Sequence, residues 1–476
     1  MTIHWLDYAI IILYFFVVVY IGYWAMKKVT NFDDYAVAGR GLPMSIFFAA
    51  IAATLCGGGA TIGRVSFMHT TGIVVFAGLI GVVINQIFSG LYIAGRVHNI
   101  KNVYSVGDLF GLYYGRAGRL VSSIVCFFFC LGLYGVQILA MGAILQTAVG
   151  IDLIPAALIS SVITLAYTWS GGMLAVTMTD AVQYVIIIIG VSLCGYLAID
   201  HLGGFDAMMA TLNAMPRYES NLKLFSGWGP IQFAGLFLSF LFGEFCAPYF
   251  IQRYASTKSA KDSKNGLLIF GVHWIFFMAT TAAIGLASMA IQPDVKPDLA
   301  FTNLIRDILP PGITGLVFGA LLAAVMSTGA AMINTSAVIY TRDIYNKFIN
   351  TAATQAQLLR QSRLSTLVVG GISIGVAIIF QDVFGLMIYM FKLWPSAILP
   401  PLMCGLLWGK ISPYAGAPAV IAGGLSFFLW SDKVLGEPFG IPANFIGIGM
   451  NCLVLFFVHQ KMKGHKPEGP FLPDLN

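Results

Sequence analysis

Apolar stretches of about 20 residues recur along nearly the whole chain, each long enough to cross the hydrocarbon core of a bilayer as a helix. Of the 476 residues, 58% are hydrophobic and only 10% are charged, where soluble domains carry about 25% charged residues. The chain therefore reads as an all-α, multi-pass membrane protein. Thirteen candidate transmembrane helices fall at about 5–25, 44–67, 72–96, 120–149, 153–170, 175–199, 229–253, 265–291, 312–340, 365–381, 384–408, 414–431 and 441–460. With the N-terminus outside and the C-terminus cytoplasmic, 19 of the 26 Lys and Arg residues lie inside and five outside, and Arg64 and Lys392 fall within spans. That bias is the positive-inside pattern of a cell-membrane protein. It makes the net charge of +6 a topology signal, and no nucleic-acid partner is expected.

All seven cysteines lie in expected spans, so neither a disulfide framework nor a Cys/His metal motif is expected. The first span has no basic leader region and ends in Trp24-Ala25-Met26-Lys27-Lys28, a stop-transfer pattern. The tail at 461–476 is rich in Lys, Pro and Gly and is expected to be disordered.

Within this pattern Gly57-Gly58-Gly59 stands out, in the middle of the span 44–67. Each glycine costs roughly 1 kcal/mol relative to Ala in a helix interior. At membrane depth, broken backbone survives only where protein, ions or a water-filled cavity take the freed groups. The segment is expected to be a discontinuous helix lining a site. Gly243, Glu244 and Pro248 suggest a second break in the span 229–253; the plainer reading is that Pro248 only kinks a helix. The two interrupted spans lie five helices apart. Interrupted helices at corresponding positions of two halves point to a transporter binding site.

Five stretches add to this. They are Asp33–Arg40 (DDYAVAGR), Tyr167–Gln183 (YTWSGGMLAVTMTDAVQ), Gln252-Arg253 with Ala255 and Lys258, Ala323–Asp343 (AAVMSTGAAMINTSAVIYTRD), and Leu393–Pro401 with Trp408. In this order and helix context they resemble the sodium/solute symporter family. The resemblance implies a leucine-transporter-like 5+5 inverted repeat, with one helix before the core and two after it. The segments would be 1–43 for the extra helix and its loop, 44–228 and 229–411 for the two repeats, and 412–476 for the peripheral helices and tail.

The resemblance also implies a Na⁺ site built from the carbonyls of Ala53 and Cys56 and the hydroxyls of Ser327 and Thr328. The plainer reading of the two hydroxyls is helix–helix hydrogen bonding. Asp180 is a carboxylate within a span, which is functional by default, and the resemblance implies that it assists ion release; the alternative is a helix-end carboxylate paired with a loop arginine. The resemblance implies that a second ion would need hydroxyls where Ala330 and Ala331 stand, so one Na⁺ per solute is expected.

The solute pocket should border the breaks. Its candidate lining residues are Gly57, Gly58, Gly59, Thr61, Gly63 and Arg64, with Asn85, Gln86 and Gln137, and with Phe242, Glu244 and Phe245. Arg64 could clamp a carboxylate and Glu244 could hold an ammonium, which would suit a small zwitterionic or carboxylate-bearing solute. Alternatively, the two pair with each other or with other polar groups to set a gate. Lys392 is expected to snorkel or to face a vestibule. The function expected is Na⁺-coupled symport by alternating access. Proton coupling through Asp180 or Glu244 and a non-transporting sensor are the competing readings. No clustered acid–base or metal constellation points to an enzyme. Oligomeric state is open, a monomer included.

Overall fold

The computed structural model describes residues 3–463 except 224, 226, 227 and 380–382. The tail beyond Lys463 and the last two residues of the span expected at 365–381 lie outside the described residues. In chain order the main helices are α1 (Trp5–Met26), α2 (Met44–Leu55), α3 (Gly59–Thr71), α4 (Val74–Asn99), α5 (Val106–Val149), α6 (Leu153–His201) and α7 (Pro230–Phe242). Then come α8 (Pro248–Ser256), α9 (Ala260–Ile291), α10 (Ile313–Ile349), α11 (Gln355–Ile379), α12 (Val383–Ala397), α13 (Leu399–Trp408), α14 (Gly416–Trp430) and α15 (Ala443–Lys461). Among the described residues there is no strand, only an isolated bridge between Leu42 and Thr257.

Among the described residues eight helices are long and apolar enough to cross a membrane, and the bent pairs α2/α3 and α12/α13 raise the number to ten. The spans expected at 153–170 and 175–199 fall on one helix of 49 residues, α6. A straight helix of that length would reach about 74 Å, more than twice the hydrocarbon thickness. Its backbone leaves helical geometry at Gly172, where φ is 52° and ψ is −141°. Only glycine fits there, because a Cβ would stand 2.5 Å from the carbonyl oxygen of Tyr35. Likewise α5 starts at Val106, well before the expected 120, and breaks at Gly115.

The span expected at 384–408 is bent by 53° between α12 and α13. Pro400 and Pro401 have no N–H to give to the carbonyls one turn back. Asn451 of α15 supplies the missing donors, with its Nδ2 2.9 Å from Ser396 O and 2.8 Å from Ala397 O.

α10 is the centre of the molecule: 94% of its apolar window is buried, and it packs chiefly on α6 and α5. α1 lies outside, against α6 and α10. Its Asp7 accepts from the N–H groups of Gly312 and Gly315 at 2.6 and 2.7 Å. A carboxylate there satisfies free N–H groups and meets the positive end of the α10 dipole.

Candidate functional site

α2 ends at Leu55, and the chain bends by 56° before α3. The break frees backbone groups, and side chains from other helices take them. Ser327 Oγ donates to Ala53 O at 2.9 Å and Thr328 Oγ1 to Thr54 O at 2.5 Å, both from α10. Gln137 Oε1 of α5 accepts the Gly58 N–H at 2.8 Å. The glycines allow this close crossing. A Cβ on Gly57 would stand 2.2 Å from Thr328 Oγ1, and one on Gly58 2.4 Å from the Ala140 Cβ.

Two carbonyls and two hydroxyls thus meet where α2 crosses α10. The donor set is all oxygen, as a hard alkali cation requires, and carbonyls released by a broken helix can replace hydration water. Each hydroxyl also has a second acceptor, Ala324 O, at 2.8 Å from Ser327 and 3.0 Å from Thr328. Its proton can stay bonded there while its lone pair turns to an ion. The cluster therefore fits Na⁺. It differs from expectation at one donor: Thr328 meets the carbonyl of Thr54, where Cys56 was expected beside Ala53. Cys56 is fully buried, with its own N–H on Ala52 and Ala53.

Thr54 was not singled out from sequence, although it is the one hydroxyl in Ala52-Ala53-Thr54-Leu55-Cys56. Its side chain faces a second feature. Arg253 Nη2 of α8 donates to Thr54 Oγ1 at 2.7 Å and to Asp180 Oδ2 at 2.9 Å. Asp180 and Arg253 are almost completely inaccessible to solvent. The arginine beside Asp180 sits on a helix in the protein interior, and no loop is involved. Its neighbour Gln252 ties α8 to two further elements, donating to Ala36 O at 2.6 Å and accepting from Thr335 Oγ1 at 2.7 Å.

Beside the break lies a cavity of about 50 Å³, bordered by Gly57, Gly59, Arg64, Gln137 and Glu244 and by Thr54 and Thr328. Its remaining wall is mostly apolar, with Leu79, Phe240 and Met387 among the residues there, and it includes Trp274. Arg64 and Glu244 do not pair. Arg64 Nη1 donates to Thr281 Oγ1 at 2.6 Å and its guanidinium lies over Trp274, 5.2 Å from the ring centre. Glu244 accepts the hydroxyl of Tyr249.

Other expected residues stand back from the cavity. Thr61 Oγ1 turns to Gly57 O at 2.9 Å, and Gly63 packs on Phe384. Asn85 and Gln86 are buried on α4 outside the lining. Phe245 gives its carbonyl to Trp394 Nε1 at 2.8 Å, and its ring packs against those of Phe88 and Phe242.

A larger vestibule of about 840 Å³ opens beyond, lined by residues that include Trp228, Asp298, Lys392 and Glu437. Lys392 reaches Glu437 at 2.8 Å there. Phe384 borders both spaces and stacks on Phe67, with ring centres 4.1 Å apart. Among the described residues no group of three or more His, Cys, Asp or Glu side chains could hold a metal ion.

A helical membrane bundle with a broken helix, an all-oxygen cluster at the break that could hold a cation and a cavity beside it is the arrangement expected of a cation-coupled transporter. The sodium:solute symporter family matches residues 35–423, and the chain belongs to that family, in which sodium is the coupling ion. It is similar to the osmoregulated proline transporter OpuE of Bacillus subtilis, at 25% identity over 90% of this chain and 89% of the relative. It is also similar to the sodium/proline symporter of Escherichia coli, at 25% identity over 88% and 86%. Among solved structures, the substrate-bound outward-open state of a Na⁺-coupled sialic acid symporter superposes with a TM-score of 0.81 at 19% identity, over 98% of this chain and 99% of that one. Mhp1, a nucleobase-cation-symport-1 family transporter in a closed conformation, gives 0.59 at 14% identity, over 90% and 95%. At these identities both likenesses concern the fold.

Proposed function

We propose that the protein imports a small organic solute, carboxylate-bearing or zwitterionic, together with one Na⁺, by alternating access. The observation that carries this reading is the meeting of Ser327 and Thr328 with the carbonyls of Ala53 and Thr54. An ion there clamps α2 to α10 and sets the geometry of the break that borders the cavity. Sodium then favours the solute-binding arrangement, and by linkage the solute tightens sodium binding by the same factor.

The charge of the solute follows from Arg64 and Glu244, which border one cavity without neutralising each other. The relatives named as proline transporters agree with a zwitterion. One ion per solute follows from Ala330 and Ala331, which offer no hydroxyls, and from Arg253, whose guanidinium already serves Asp180 as a fixed cation.

The topology that suits this function has thirteen spans. α6 counts as two spans divided at Gly172, α7/α8 as one broken span, and α14 as one. The N-terminus faces out and the C-terminus the cytoplasm. Residues 44–228 and 229–411 are the inverted halves, with 1–43 before them and 412–476 after.

Sodium binding to the purified protein tests the reading. Ser327→Ala removes one ion ligand. A hydrogen-bond-scale contact to a charged group is worth about 1.5–3 kcal/mol, so sodium affinity should fall by about tenfold or more. An unchanged affinity removes Ser327 from the site.

A further inference from the structure

Arg64 is 1% exposed and lies in a membrane-spanning segment, yet among the described residues no carboxylate pairs with it. Among the described residues its one hydrogen-bond acceptor is the neutral hydroxyl of Thr281, and its Nε–H has no partner there. A buried charge left this way is costly. Beneath it on α9 lies Trp274, whose indole Nε1–H is also buried and has no partner among the described residues. Both residues border the cavity beside the helix break. The cavity wall therefore carries two residues in contact, one of them cationic, each with an N–H that has no acceptor among the described residues.

We propose that Arg64 and Trp274 form a carboxylate subsite, with Trp274 as a specificity-determining residue and Thr281 as the positioning residue that holds the guanidinium. The proposal rests on the transport reading for the existence of a solute, and it names the solute group and the donors that read it. A carboxylate supplies two acceptor oxygens on one planar group, so it can take both orphan donors at once. Its single charge balances the single guanidinium. A phosphate dianion would bring an excess charge into the span. Water could bond either N–H but would leave Arg64 without a counter-charge. The indole N–H is donor only, so it favours an acceptor and rejects an amide NH₂ in the same position. Thr281 donates in turn to Phe277 O at 3.0 Å, which leaves its oxygen free to accept from Arg64.

The substitution that removes the donor is Trp274→Phe, which keeps an aromatic face under Arg64 and deletes the N–H together with two ring carbons, while Thr281→Val disturbs the same site without touching the ring. The probes are a panel of L-amino acids, each paired with its carboxamide. Calorimetry is run with the full chain in lipid nanodiscs, sodium present, and sodium binding is measured separately on the same samples. The wild type is expected to bind at least one acid, and to bind it about tenfold or more above the matching amide. In W274F the affinity for the acid should fall by roughly tenfold to a hundredfold, the scale of one hydrogen bond to a charged group. The discrimination against the amide should then collapse while sodium binding is retained. Thr281→Val should weaken the acid in the same way, and it decides the matter if W274F loses sodium binding and is therefore misfolded. The proposal is overturned if amides bind as well as acids, if discrimination survives the deciding variant, or if a sodium-binding wild type takes no acid of the panel. A wild type that fails to bind sodium refutes the transport reading instead.

Discussion

Replacing Arg253 by Met tests whether the Asp180–Arg253 pair is a fixed internal charge balance. Arg253 Nη2 lies 2.9 Å from Asp180 Oδ2 and 2.7 Å from Thr54 Oγ1, and hardly any of either charged side chain reaches solvent. Removing one partner of such a pair leaves an uncompensated buried charge, at a cost of about 3–5 kcal/mol. Neutralising both removes that penalty, because neither residue is then charged. The double variant Asp180→Asn/Arg253→Met should therefore be clearly more stable than Arg253→Met alone. The double-mutant cycle should return a coupling energy of about 2–3 kcal/mol. Unfolding in mixed micelles, followed by tryptophan fluorescence, gives the four stabilities. If the double variant loses as much as the two single variants added together, the pair is not a coupled unit and the reasoning fails.

Two further substitutions follow from close contacts. Gly57→Ala places a Cβ 2.2 Å from Thr328 Oγ1, so α2 and α10 must part; overpacking of this kind costs about 1–3 kcal/mol, and sodium affinity measured by isotope binding should fall while the protein still folds. Asn451→Ala strips the donors from Ser396 O and Ala397 O at the α12/α13 bend; leaving two buried carbonyls unsatisfied costs about 2–5 kcal/mol, visible as a lower thermal unfolding temperature.

The glycine triplet located the break because its cost is written in the residue type. Which carbonyl meets Thr328 was not legible, since Thr54 and Cys56 are both within a turn of Ala53 and their facing depends on how far the last turn of α2 unwinds. Gln137 was singled out through the family resemblance, which implies a polar residue at that position; in the structure it borders the cavity and accepts the Gly58 N–H. Thr61, Gln86 and Phe242 sit on the right helices but on other faces, and helix rotation is set by packing that spacing alone does not specify; Phe245 lies in the turn between α7 and α8, where no helical period places its side chain. Pro400 and Pro401 were in view, yet the bend they cause is held by Asn451, more than a helix away in sequence. Trp274 gave no signal: one aromatic among many in a span becomes notable only when its N–H is seen to lack an acceptor.

The central claim is that a sodium gradient drives the solute through this site. Proteoliposomes containing the purified protein can be loaded with sodium-free buffer and diluted into sodium or into potassium at equal ionic strength, with uptake of a solute shown to bind followed over time. The account predicts transient accumulation above the outside concentration only with inward sodium, lost when an ionophore collapses the gradient and sharply reduced in Ser327→Ala. Equal uptake in sodium and in potassium, or accumulation that follows an imposed proton gradient without sodium, contradicts it.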